Sequence, residues 1–132
     1  MLPQSVVLSL LSVVAALTLA SCTTNSRPSR LGTHIGPPVH YQGPDGARFV
    51  ANYGSLSDGT LHFVKVQMPD GRHFTLPQVV SASGARYTDD RELVWWTHQG
   101  TVTVQTRDAA GQWQTRYSEL READAKNTGR GR

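Results

Sequence analysis

The chain has 132 residues, a formal net charge of +3, a sequence pI near 9.4 and one cysteine, Cys22. This length holds one domain of about 100 residues with terminal segments, and a lone cysteine excludes an internal disulfide framework. The charge is dispersed: six basic and seven acidic residues nearly cancel between Val39 and Asp108, and the surplus lies in Arg27, Arg30 and the stretch Arg116 to Arg132. No basic stripe is present to bind nucleic acid.

Met1 to Ser21 reads as a targeting segment. Val6 to Ala20 is rich in Leu, Val and Ala, of signal-peptide length, and too short and serine-interrupted to span a bilayer. No Lys or Arg precedes this run, which departs from the usual signal. It ends in Leu19-Ala20-Ser21-Cys22, small residues before a cysteine, the pattern of a bacterial lipobox. The reading is a signal peptide over 1–21 and lipidation of Cys22, which anchors the chain in a membrane. Thr23 after the cysteine, rather than Asp, points to the outer membrane, with the domain facing the periplasm or the surface. The basic ends then lie near anionic headgroups. Thr23 to Pro38 is rich in Ser, Thr, Asn, Arg, Pro and Gly and offers no apolar face. With Cys22 it is expected to form a disordered tether over 22–38.

From Val39 onward, short β signals alternate with turn residues. Arg48 to Tyr53 follows Pro44-Asp45-Gly46, and Leu61 to Met68 follows Ser57-Asp58-Gly59. Pro69-Asp70-Gly71 predicts a hairpin between Leu61–Met68 and Arg72–Leu76, because proline sets φ and glycine accepts a positive one. Gln78–Ser81 and Ala85–Thr88 are short runs, and Leu93–His98 and Thr101–Arg107 flank Gln99-Gly100. Asp108 to Gly111 turns the chain into Gln112–Leu120. Seven or eight such strands predict an all-β fold over 39–120, a small antiparallel β-barrel whose closure removes exposed edges. Residues 121–132 lack a large apolar side chain and are expected to be a disordered tail, with a short frayed helix over Glu119 to Lys126 as the alternative.

If Gln99-Gly100 is a two-residue loop, His98 pairs with Thr101. Leu93, Trp95, Thr97, Val102, Val104 and Thr106 then share the core face. Val94, Trp96, His98, Thr101, Thr103 and Gln105 take the opposite one, which places Trp96 and His98 outward beside the loop Ser83 to Tyr87.

Catalytic patterns are missing. Ser83 has no acid or base at a recognisable spacing, Gly-x-Ser-x-Gly is absent, and Asp89, Asp90 and Glu92 sit beside Arg91 on a solvated turn. The histidines at 34, 40, 62, 73 and 98 show no i, i+2 or i, i+4 pair. His62 and His73 read as strand-surface or satisfied core residues. The expectation is a non-enzyme with no metal and no cofactor.

The segment Ser81 to Gly100, SASGARYTDDRELVWWTHQG, concentrates a hydroxyl, a tyrosine, paired tryptophans and a histidine. It reads either as a core hairpin or as a loop presented to a partner. SGARY followed by WWTHQG resembles the signature of the small bacterial inhibitors of c-type lysozyme, the membrane-bound and periplasmic kinds. Ser83, Gly84, Tyr87 and Trp96 fall at the matching spacing, His98 stands at the signature's lysine, Gln99 at its glycine and Val102 at its final alanine. The likeness extends more loosely from Val39 to Thr106.

The resemblance implies a small β-barrel and a protein partner, c-type lysozyme. It also implies a lysozyme-binding set of Ser83, Gly84, Tyr87, Trp96 and His98. Serine and lysine in that family face the two carboxyl groups of the lysozyme cleft, and the tyrosine shapes the loop. Family members often carry a cysteine at the position of Gly43, bonded to one near the C-terminus; both are missing here, so packing alone must hold the barrel. Two functions of different class follow: an inhibitor that inserts the Ser83–Tyr87 loop and the Trp96–His98 strand end into the lysozyme cleft, or a structural cell-envelope lipoprotein module on the same fold.

Overall fold

Aspartates organise the tight turns of this chain. Asp45, Asp58, Asp70 and Asp108 each accept a backbone N–H from the residue two further on, at 2.9–3.1 Å. The short polar side chain thereby closes the turn before the next strand begins. A computed structural model describes residues 30–123 of the chain. The targeting segment, residues 22–29 of the expected tether (Cys22 among them) and residues 124–132 lie outside that range.

Nine strands form: β1 (Thr33–Ile35), β2 (Val39–Gln42), β3 (Arg48–Leu56), β4 (His62–Gln67), β5 (His73–Val79), β6 (Ala85–Thr88), β7 (Leu93–His98), β8 (Thr101–Arg107) and β9 (Trp113–Glu122). All neighbours are antiparallel, in the order β1-β3-β2-β9-β8-β7-β6-β5-β4, and β3 also pairs with β4. That last pairing closes β2 to β9 into an eight-stranded barrel, as the turn spacing led one to expect. β1 is an extra strand: β4 holds one edge of β3, and β1 and β2 share the other in succession.

The expected tether is the first correction. Thr33–Ile35 is hydrogen-bonded strand, registered on Leu56 to Gly54. Gly32 and Ser57 exchange further bonds, Gly32 N–H to Ser57 Oγ at 2.9 Å and Ser57 N–H to Gly32 O at 2.8 Å. Asn52 Nδ2 donates to Gly36 O at 3.1 Å. The long β3 supplies an unpaired edge, and backbone pairing with it needs no apolar pattern in the partner.

The second correction is at the other end. β9 runs to Glu122, with Arg121 and Glu122 registered on Gln42 and Tyr41, so residues 121–122 are strand rather than disordered tail, and 119–122 are not helix. Closing the barrel between β9 and β2 satisfies these backbone groups. The third concerns β5. The runs Arg72–Leu76 and Gln78–Ser81 are one strand ending at Val79, with Pro77 inside it. Residues 73–77 pair with β4 and residues 78–79 with β6. Proline is tolerated where the strand passes from one partner to the next, since it cannot donate to a ladder.

The core is Phe49, Ala51, Val64, Val66, Met68, Leu76, Tyr87, Leu93, Trp95, Val102, Val104 and Leu120. Trp95 is its centre, edge-on to Tyr41 at 5.4 Å and tilted against Phe49 at 5.9 Å. Each fully buried aliphatic side chain here contributes roughly 1.5–3 kcal/mol. The β7–β8 register is the expected one, His98 opposite Thr101, with Leu93, Trp95, Val102 and Val104 buried and Thr97 and Thr106 half-buried. On the opposite face Val94 is buried as well, between its cross-strand partners Thr88 and Gln105. His62 and His73 are exposed strand residues. Gly43 is buried, and a Cβ there would lie 2.9 Å from Leu120 Cδ2 and 2.7 Å from Asp45 Oδ1. Leu120 thus fills the place next to Gly43 where the resemblance implied a disulfide.

Candidate functional site

The loop between β5 and β6 lies against the end of β7. Its backbone comes so close that a Cβ on Gly84 would meet the Thr97 carbonyl oxygen at 2.1 Å and His98 Cα at 3.2 Å. Gly84 also has φ +65°. Both facts require glycine: one forbids a side chain by contact and the other by backbone conformation. Gly84 therefore seats the loop on the Thr97–His98 end of β7, and Ser83 precedes it in the chain.

Two donors then hold the Ser83 carbonyl. Trp96 Nε1–H donates to it at 3.0 Å, and Ser81 Oγ–H at 2.7 Å. With its main chain pinned from both sides, Ser83 is exposed, and its hydroxyl makes no hydrogen bond among the described residues. That hydroxyl is free to donate one bond and accept others. Val80, fully exposed, precedes the loop.

Trp96 and His98 are half-buried and share the outer face of β7, their rings stacked at 5.8 Å and 29°. The alternation that turns Trp95 inward sends these two outward. Between the loop and the strand end is a cleft of about 340 Å³, lined in part by Gly84, Thr97, His98, Thr101, Tyr41 and Glu122.

Tyr87 is placed differently from the other four. It lies in the core, registered on Trp95, with its ring 5.8 Å from that of Tyr53. Burial pushes its phenol above the ordinary value of 10.0, and the neighbouring Tyr53 adds to the shift, so Tyr87 stays neutral across the physiological range. It anchors the first residues of β6 from inside the barrel. The structure thus brings Ser83, Gly84, Trp96 and His98 together at one surface, with Tyr87 beneath them.

The aspartate-rich turn after β6 is solvated at Asp90, Arg91 and Glu92, as expected, and is closed by local hydrogen bonds. Asp89 Oδ1 accepts the N–H groups of Arg91, Glu92 and Leu93 at 2.9–3.1 Å. Partial burial pushes its carboxyl up, but the three backbone donors together outweigh that, and the net shift is downward. Thr88, buried, accepts from Asp90 N–H and donates to Leu93 O, which closes the same turn.

Ser81 is the site residue that sequence reasoning missed. A serine two residues before the carbonyl it binds is a common local turn device, so the Ser81-Ala82-Ser83 spacing carried the signal. No group of three His, Cys, Asp or Glu residues among those described could hold a metal ion.

The chain has no match among curated proteins or solved structures. The family model described as membrane-bound lysozyme-inhibitor of c-type lysozyme matches residues 41–113, more than half of the chain. The matched stretch runs from β2 to the start of β9 and includes the pinned loop, Trp96 and His98. On the strength of that match the chain belongs to the family of membrane-bound inhibitors of c-type lysozyme.

Proposed function

We propose that this chain inhibits a c-type lysozyme by presenting the Ser83–Tyr87 loop and the Trp96–His98 strand end to the target's active-site cleft. One observation carries the reading: Ser83 is exposed while its carbonyl is pinned by Trp96 and Ser81. A held main chain with a free hydroxyl loses little freedom on binding, which favours affinity.

The target's chemistry suits these groups. A lysozyme cleft holds one carboxyl kept protonated as the acid and a second that is ionised. The Ser83 hydroxyl can accept from the first and donate to the second. His98, beside it, offers a ring nitrogen to the same pair. Trp96 and Gly84 act by positioning, and Tyr87 from the core. Lysis of a cell-wall suspension by c-type lysozyme, with and without a molar excess of the purified chain, tests the reading. Inhibition is expected; undiminished lysis would leave a structural envelope role on the same fold.

The membrane attachment proposed with it runs through a lipid on Cys22, in the outer membrane. Leu19-Ala20-Ser21-Cys22 supports this. Cys22→Ser is expected to leave the membrane fraction or to accumulate unprocessed; membrane partition and mass equal to wild type would contradict the anchor.

A further inference from the structure

The position of the signature lysine holds His98, and an imidazole is not the permanent cation that a lysine ammonium or an arginine guanidinium is. The cation can come from elsewhere on the same face. Arg86 on β6 is registered directly opposite Trp96 on β7, and directly opposed residues of an antiparallel pair share a face. His98 is then its diagonal neighbour at roughly 7–8 Å, within reach of a long side chain. Ser83 is three residues earlier in the chain. Arg86, Trp96, His98 and the Ser83 loop therefore occupy one surface.

Arg86 is also distinguished by what it lacks. It is half-buried, whereas Arg30, Arg48, Arg72, Arg91, Arg107, Arg116 and Arg121 are exposed. Arg72 pairs with Asp70 and lies over Phe74, and Arg107 bonds two carbonyls and lies over Trp113. Arg86 has no ion pair, side-chain hydrogen bond or cation–π contact among the described residues. Its opposite and diagonal neighbours on β5 and β7 and just beyond β5 are Val79, Pro77, Ser81, Trp96, Val94 and His98, none of them a carboxylate. A half-buried arginine with no internal partner is set to accept an external anion, and its planar fork matches a carboxylate in two parallel bonds.

We infer that Arg86 supplies the cation of this binding surface and pairs with an ionised carboxylate of the target, in the role the resemblance gives to lysine at the position of His98. The inference rests on the lysozyme-inhibitor reading and deepens it. Its test measures Kd for a c-type lysozyme, at low and at physiological salt, for the wild-type chain, Arg86→Gln, Arg86→Lys and the double variant Arg86→Gln with His98→Lys.

Arg86→Gln is expected to weaken binding about tenfold or more and to flatten the salt dependence, with the thermal midpoint unchanged. Arg86→Lys should retain part of the affinity, and His98→Lys should restore binding to the Arg86→Gln chain by returning a cation nearby. Equal Kd and equal salt dependence for wild type and Arg86→Gln would overturn the role of Arg86 while leaving the inhibitor reading in place. A loss that neither lysine recovers, accompanied by a lower thermal midpoint, would overturn it too, by making Arg86 a structural residue. Failure of the wild-type chain to bind would overturn the inhibitor reading itself.

Discussion

The indole N–H of Trp96 donates to the main-chain carbonyl of Ser83 at 3.0 Å, across a gap of thirteen positions in sequence. The bond ties a rigid strand to the residue proposed to touch the target. It gives the spacing of serine and tryptophan in the resembled signature a mechanical meaning: the tryptophan fixes the main chain of the serine.

Trp96→Phe keeps the ring and removes the donor. Because the bond is exposed, stability should fall by no more than about 0.5–1.5 kcal/mol. Inhibition of lysozyme should fall further in proportion, roughly tenfold, because the loop then samples other positions before binding. Denaturant midpoints and inhibition constants for the two proteins check this. Unchanged inhibition would mean that Ser81 alone holds the loop.

A second prediction concerns the core. Trp95 Nε1–H donates to Tyr53 Oη at 3.1 Å, and Tyr53 Oη and Tyr41 Oη lie 3.0 Å apart. Tyr53→Phe leaves the Trp95 donor without its acceptor, a cost of about 1–3 kcal/mol. The pH dependence has a definite sign. Burial raises the phenols of Tyr41, Tyr53 and Tyr87 above 10.0 in the folded chain. The unfolded chain therefore releases these protons first, so stability is full below about pH 10 and falls as pH rises through the folded values. Denaturant midpoints taken from pH 8 to 11.5 should decline less steeply in Tyr53→Phe than in wild type. Parallel declines would show that Tyr53 does not carry the effect.

The sequence and the structure agree best where turn chemistry is local. Gln99-Gly100 defined the hairpin of β7 and β8, and its register placed Trp96 and His98 on the outer face. Ala85–Thr88 was likewise legible from end to end. β1 was not, because Thr-His-Ile between glycines has no alternation and becomes strand only on the edge that β3 presents. The end of β9 was hidden for another reason. Val102 pairs with Leu120 and Val104 with Tyr117, so β9 has one residue too many between them, and Glu119 takes φ 55° within that irregularity. A bulge of this kind re-aims Leu120 into the core, and no simple period-2 reading contains it. At the site, the resemblance named Tyr87 among the contact residues, whereas the inward face of β6 gives it to the core. Arg86, on the alternate face, carried no signal until β6 and β7 were in register.

His98 gives a third prediction. Lysine carries a compact ammonium with three donors, where histidine presents an imidazole. His98→Lys should tighten lysozyme binding at neutral pH by about tenfold, since a charge-assisted bond is worth roughly 1.5–3 kcal/mol. Equal affinities of the two chains at neutral pH would place His98 outside the contact.

The most direct test is the inhibition constant of Ser83→Ala against c-type lysozyme, measured beside its thermal midpoint. Ser83 is exposed and its hydroxyl bonds no described residue, so the midpoint should stay within a few degrees of wild type. Loss of a hydroxyl proposed to face both carboxyl groups of the cleft should weaken inhibition about tenfold or more. Equal inhibition by the two chains at equal stability would contradict the insertion of this loop into the cleft.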